Sequence, residues 1–435
     1  MANADLIGQP DRVFVGSPDL RWVAGALVIA ALTFNAILCF INTNVAPIHS
    51  SYVVGSEAAI ITIALLACYR TIDPKYVIII TAVILYTTIL ALIQSQLSAD
   101  DNLNFKISRD FLIPIIFFLL GRSRDNMIVA DLIVYATTAI ILCFALFEYF
   151  YLDSYLRIFG VTEYYVARGT LDALDPSLQW ANGLMVSGIR PSEQGRELLP
   201  FLGDHRVSSL FLEPIGLGNF GCMVAFWAIA RSKMEQRLRL WSIAAGIALI
   251  VLSDTRFNAY FLGVGILILL IGPRLTTPAV IAMPFVLIFG LCLAAVNAEA
   301  VDLPFLDGLS LEDRLIYSGR VLLDFDIYNW LGIKASRAQT FDAGYAYVIS
   351  NVGLIGFAAF WVWFMSLDGR SRYFYAFRNT SAAYFATLFC IAASQFTIKT
   401  AALLWFLIGA LSVVRDGDVL GQRRAGKRVP QLSES

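Results

Sequence analysis

Histidine is almost missing from this chain. His49 and His205 are the two in 435 residues, too few for a His-rich metal site. Charge is scarce as well, at 15% of residues against about 25% in an ordinary soluble domain. The net charge of -1 carries no basic footprint, so no nucleic-acid partner is expected. Six cysteines (Cys39, Cys68, Cys143, Cys222, Cys292 and Cys390) all lie inside apolar stretches without a CxxC spacing. They read as small apolar fillers, not as disulfides or metal ligands. The polar start MANADLIGQPDR lacks the basic region and short apolar core of a cleaved signal peptide. No internal repeat recurs.

What is present is apolar: 58% of residues are hydrophobic. They fall in blocks of the length a helix needs to cross a bilayer, about 17–25 residues. The expected fold is therefore an all-α polytopic membrane bundle, a single membrane domain over residues 1–435. Twelve spans are expected, near 22–42, 51–69, 76–96, 108–121, 127–150, 207–230, 240–253, 257–272, 278–297, 344–366, 381–396 and 399–414. The fourth is short and holds Pro114, so it is expected to be tilted or broken.

The connections RTIDPK, GRSRDN, RSKMEQRLR, GPR and DGRSRYFYAFR, with the tail over 415–435, are basic and fall on one side; SADDNLN on the other side is acidic. The positive-inside rule makes both termini cytoplasmic. Two long segments, 151–206 and 298–343, then lie outside. The first is rich in Tyr and holds Trp180, Arg190, Arg196 and Arg206; its aromatics suit either sugar faces or the headgroup level. In the second, SLEDRLIYSGRVLLDFD reads as an amphipathic helix, with Ser310 and Asp313 as a capping box and Leu311, Leu315, Leu322 and Phe325 on one face. Its DFD (324–326) mimics a DxD metal motif but reads better as a solvated helix face.

The stretch GDHRVSSLFLEPIGLGNFG keeps ionisable groups beside an apolar run. If it is helical, Arg206 and Glu213 share a face two turns apart, and Pro214 crowds the Leu210 carbonyl. GLGNFG is formally GxGxxG, but it lacks the preceding strand that gives the pattern its meaning. Gly216, Gly218 and Gly221 read as close-packing positions. LSDTRFNAYFLG places Asp254 and Arg256 in a short turn on the same side as Arg206. Two guanidiniums at one cavity suit a pyrophosphate, because each presents a planar fork of donors and stays charged. Each arginine could instead pair with a neighbouring Asp or anchor at the interface, and Glu213 could be a buried structural hydrogen bond.

Three stretches, RVSSLFLEPIGLGNF, SDTRFNAYFLG and the loop SGRVLLDFDIYNWLGIKASRAQTFDAGYAYVISNVGLIGF with Gly353 and Gly356, resemble the O-antigen ligase and polysaccharide polymerase superfamily over about the C-terminal half. The resemblance implies an inner-membrane glycosyltransferase acting on undecaprenyl-pyrophosphate-linked oligosaccharide. It implies membrane lipids and a chain-length regulator as partners, and no cofactor or metal. Arg206 and Arg256 would hold the pyrophosphate and Arg320 would match the loop arginine; Arg314 and Tyr345 would contact substrate. The family's loop histidine is replaced here by Asp342, which favours a repeat-unit polymerase over a ligase. Asp342, Glu213 and His205 are the candidates to take the acceptor's proton. A ligase, a flippase-type transporter and a scaffold subunit stay open beside the polymerase.

Overall fold

Backbone polar groups that meet lipid must be satisfied within their own segment, so apolar blocks of this kind form helices. The computed structural model describes residues 18–97, 106–123, 127–174, 178, 182–189, 196, 198–231, 236–300, 311–334 and 343–414. Among the described residues the helices are α1 (Pro18–Asn44), α2 (Ser50–Cys68), α3 (Pro74–Leu97), α4 (Lys106–Arg122), α5 (Met127–Phe150), α6 (Leu152–Ile158), α7 (Val161–Ala167), α8 (Pro214–Ala230), α9 (Gln236–Leu252), α10 (Arg256–Ile271), α11 (Pro273–Ala300), α12 (Leu311–Leu323), α13 (Ile327–Trp330), α14 (Gly344–Ser366), α15 (Arg372–Leu388) and α16 (Ile398–Ser412). No strand is formed among them; one isolated antiparallel bridge joins Ile189 to His205.

Among the described residues six helices, α1, α2, α3, α5, α11 and α14, are long and apolar enough to cross a membrane, and α8, α10 and α16 are shorter apolar helices. The chain is a helical, membrane-embedded protein. Every residue of α16 is buried, as a helix apolar on all sides must be. Its Trp405 ring lies 4.5 Å from Phe364 and 5.6 Å from Phe385, centroid to centroid. The windows of α3 and α11, by contrast, are only 22% buried.

Small residues let the central helices touch backbone to backbone. A Cβ added to Gly409 of α16 would collide with the Phe118 carbonyl oxygen of α4, and one on Gly121 with the Phe406 carbonyl. Gly221 of α8 and Gly246 of α9 meet in the same reciprocal way: a Cβ added to either would come within 2.7 and 2.6 Å of the other's carbonyl oxygen. The small-residue reading of Gly221 holds.

Three expectations need correction. The helix α4 runs through Pro114 without a break. The break lies instead in α14 at Gly353, whose φ of 70° and ψ of 166° suit only glycine. Carbonyls near the break find partners on α3: Tyr86 donates to Val352 O at 2.6 Å, and Gln94 to Asn351 O at 3.1 Å. The sixth span does not start at 207 but at Pro214, which occupies the first helical position, where its missing N–H costs nothing. The eleventh expected span is α15, which begins at Arg372, not near 381, and ends at Leu388. Its Arg378 is buried because it donates to the carbonyls of Met365 (2.8 Å) and Leu367 (2.9 Å) at the end of α14. The basic stretch is thus helix, not connection. Ser310 of the expected capping box lies outside the described residues; the box that forms is Asp326–Asn329 at α13. Asp324 and Asp326 are exposed, and the Asn329 N–H holds the Asp326 carboxyl below its ordinary value.

Gly409→Ala is expected to force α4 and α16 apart at a cost of about 1–3 kcal/mol, the usual range for overpacking. Thermal unfolding of the detergent-solubilised protein measures it. An unchanged midpoint would mean that the two backbones are not in contact.

Candidate functional site

The segment 203–213 is not α-helical; apart from one 3-10 turn at Ser209–Phe211 its path is set by what grips it. Ser209 and Leu212 have φ of 51° and 59°, the left-handed region that non-glycine residues seldom occupy. Such a path persists only where the surroundings over-determine it, and here they do. Glu148, at the end of α5 and fully buried, accepts the backbone N–H of Ser208 (3.0 Å) and of Ser209 (2.5 Å), and sits 3.0 Å from His205 Nε2. Tyr155 of α6 donates to Ser209 O at 2.8 Å. Lys399 of α16 donates to Phe211 O at 3.2 Å and pairs with Glu213 Oε2 at 3.0 Å, while Tyr165 of α7 donates to Glu213 Oε1 at 2.6 Å. Burial pushes the Tyr164 phenol up to about 12 and Tyr165 well above its ordinary value, so both stay protonated donors.

Held this way, Arg206 reaches the end of α9. It donates to Ser187 O (2.8 Å), Ser253 O (3.2 Å) and Asp254 O (3.4 Å) and is 8% exposed. Arg196 sits beside it, donating to His205 O at 2.7 Å, to Leu252 O at 3.1 Å and to Val251 O. Two cations on the last carbonyls of one helix complement its negative end. Asp254 turns the chain with φ 46°, and its carboxylate accepts the Leu198 N–H at 2.8 Å.

A hollow of about 100 Å³ opens here, lined among others by Arg206, Arg256, Arg314 and the first turn of α10. Arg256 is the first residue of α10, and the N-cap Thr255 makes no side-chain cap to the helix amides; its hydroxyl lies 2.9 Å from Ser253 Oγ. Guanidiniums, a helix N-terminus and a concave wall together form an anion-binding geometry. The floor is polar. The Tyr384 hydroxyl, with one proton to give, lies 2.6 Å from Asn219 Oδ1 and 2.5 Å from Asn258 Oδ1, Asn258 Nδ2 donates to Asn219 Oδ1 (3.2 Å), and Asn219 Nδ2 donates to Ser394 Oγ (3.2 Å).

Sequence reasoning placed Arg206 and Arg256 at one hollow and named Arg314 only as a substrate contact; in the structure all three line one hollow. The others do not join them. Glu213 does not share a helix face with Arg206, because the chain between them is not α-helix. Glu213 stands at the N-cap of α8, pairs with Lys399 and is not among the lining residues. His205 turns its ring to Glu148, away from the hollow. Tyr345, in the first turn of α14, is 1% exposed, donates to Ala386 O of α15 at 2.7 Å, packs on Phe389 and does not line the hollow. Arg320 lies about two turns beyond Arg314 on α12 and is not a lining residue. Asp342, Arg190 and Trp180 lie outside the described residues.

Glu148, Lys399, Tyr384 and the two asparagines were missed. So was a buried cluster in which Arg109 of α4 pairs with Glu57 of α2 and, at 2.6 Å, with Asp110, whose other oxygen accepts the Tyr347 hydroxyl at 2.9 Å. The signal existed: a carboxylate or ammonium inside an apolar block has a reason to be there.

Glu148→Gln removes acceptors from buried N–H groups, each worth about 1–3 kcal/mol when orphaned. A lowered unfolding midpoint and weaker binding of pyrophosphate to the purified protein are expected; an unchanged midpoint would show that Glu148 does not hold the segment. The chain matches no family model, no curated protein and no solved structure.

Proposed function

We propose that this protein is a polysaccharide polymerase of the bacterial inner membrane, transferring a glycan from undecaprenyl pyrophosphate to a hydroxyl of the next lipid-linked repeat unit. The observation that carries the reading is the single hollow shared by Arg206, Arg256 and Arg314 at the N-terminus of α10. In the twelve-span arrangement α1–α5, α8–α11 and α14–α16 cross the membrane, both termini are cytoplasmic, and the hollow faces outward.

In that reaction the acceptor oxygen forms a bond to the anomeric carbon while the bond from that carbon to the pyrophosphate oxygen breaks. The bonding pair leaves with the pyrophosphate, and the acceptor's proton passes to a base. Arg256 and Arg314 stabilise the charge that grows on the leaving group, together with the α10 amides. Arg206 is steered by three backbone carbonyls, so it presents a fixed fork. Asn219 and Asn258, locked by Tyr384, orient what binds above them. The resemblance offers Asp342 as the base. Gly344, two residues on, packs against the carbonyl of Ala392, a wall residue of the hollow.

One observation favours a second reading. A helix broken inside the bundle, as α14 is at Gly353, is a feature of transporters. Incubation of the purified protein with undecaprenyl-pyrophosphate repeat units separates the two. A ladder of products on a gel supports the polymerase, whereas unchanged substrate that crosses proteoliposomes supports transport. Arg256→Lys keeps the charge but loses the fork, so ladder formation is expected to slow by about 10²–10³-fold, the scale of one lost transition-state donor. Full activity in that variant removes the pyrophosphate clamp from the mechanism.

A further inference from the structure

A second site lies at the opposite end of the bundle, where α3 begins and where α4, α14 and α16 end. A pocket of about 250 Å³ is lined there by Lys75, Arg122 and Arg370, with Asp368, Ser366 and Trp363. Asp73 pairs with Arg122 at 3.8 Å, so the surrounding charges are three cations and two carboxylates, a net positive balance. Lys75 and Arg370 are exposed. Ile79, Trp363 and Ser366 also line a larger cavity of about 620 Å³ between α3, α4 and α14. The two therefore adjoin across these side chains.

The larger cavity is a built apolar groove. Phe111, Ile115 and Phe360 form its buried wall, and Ile355 and Val362 stand at its exposed rim, 70% and 66% accessible. Its far end is closed by Tyr86, whose hydroxyl donates to Val352 O at the break in α14. From Val352 to Ser366 the groove runs about 21 Å at 1.5 Å per residue, more than the ~15 Å of one leaflet's hydrocarbon. The volume is within the roughly 300–1,000 Å³ of a ligand pocket. An apolar channel of leaflet length that adjoins a basic pocket is complementary to one kind of molecule: an anionic head joined to a hydrocarbon chain.

We propose that this composite pocket binds an anionic membrane lipid, its phosphate between Lys75, Arg122 and Arg370 and one chain along the α3–α4–α14 groove up to Tyr86. Basic pockets between membrane helices recognise such headgroups. The charge selects the head, and the groove discriminates against a free anion. The site shares no residue with the arginine hollow, and the proposal is independent of the reaction carried out there.

The test uses the full-length protein in neutral detergent and titrates phosphatidylglycerol carrying a brominated chain, with brominated phosphatidylcholine as the comparison. Bromine quenches a nearby indole, and Trp363 lies in both pockets. Quenching that is absent in Trp363→Phe is expected at a tenfold or lower fraction of phosphatidylglycerol than of phosphatidylcholine. The double variant Lys75→Gln/Arg370→Gln alters exposed side chains only and is expected to erase that preference. Native mass spectrometry should show the same loss of retained phosphatidylglycerol without relying on tryptophan. Equal quenching by both lipids, or quenching that persists in Trp363→Phe, overturns the proposal. Displacement of the lipid by millimolar inorganic phosphate also overturns it, because the pocket would then recognise the anion alone.

Discussion

The carboxylate of Glu148 accepts two backbone N–H groups and a histidine nitrogen while wholly buried. A charge in that position is costly unless several donors converge on it, and they do so only if Ser208 and Ser209 keep a path that a helix cannot follow. The left-handed residues Ser209 and Leu212 are consequences of that convergence, with Tyr155, Tyr165 and Lys399 completing the grip from three other helices. Once the segment is fixed, Val207 N–H bonds to Leu252 O at 3.0 Å, and Arg206 has nowhere to go but the end of α9. Its position in the hollow follows from an interaction two residues further on, with α5.

The arginines show how a chain poor in charge keeps cations inside a bundle. Arg196, Arg206 and Arg378 donate to carbonyls at the ends of helices. Those carbonyls have no intrahelical partner and carry the negative end of the helix dipole. Arg206 and Arg378 thereby satisfy acceptors that burial would otherwise orphan, while Arg196 adds a second donor to Leu252 O beside the Val207 N–H; all three do so against partial charges. A dipole steadies the cation without cancelling it, so an arginine fixed in this way still presents a positive face to an anion. Position and chemistry are two uses of one side chain, which is why Arg256, at the start of a helix with its neighbour Thr255 turned aside, separates the two better than Arg206 does.

The helical membrane architecture was legible because apolar blocks of spanning length leave few alternatives. The meeting of Arg206 and Arg256 was legible because both fall in connections on one side of the chain's crossings; that Arg314 joins them was not. The grip was not. VSSLFLE reads as a continuation of an apolar helix, since hydrophobic spacing carries no information about a backbone that turns left-handed. Lys399, Glu148, Glu57 and Asp110 stood in plain view inside apolar blocks, but their long-range partners lie 52 to 237 residues away, a distance that one sequence does not bridge. The basic stretch that opens α15 misled for a related reason: Arg378 looks solvated in sequence and is buried on the carbonyls at the end of α14.

Proline was the obvious candidate to interrupt a helix, yet α4 carries Pro114 intact and α14 breaks at a glycine. The difference is what approaches each site. At Gly353 the backbone of Gly332, just after α13, comes so close that a Cβ on either residue would strike the other chain. Positive φ at both, 73° and 70°, lets the two segments touch without side chains between them. Gln94 of α3 ties the pair together, donating to Gly332 O at 2.8 Å and to Asn351 O at 3.1 Å. The short path α12–α13 is thereby moored to the middle of α14, and α12 is the helix that brings Arg314 to the hollow. A break placed by close backbone approach, rather than by a missing N–H, thus sets both the upper limit of the apolar groove and the anchorage of one wall of the anion site.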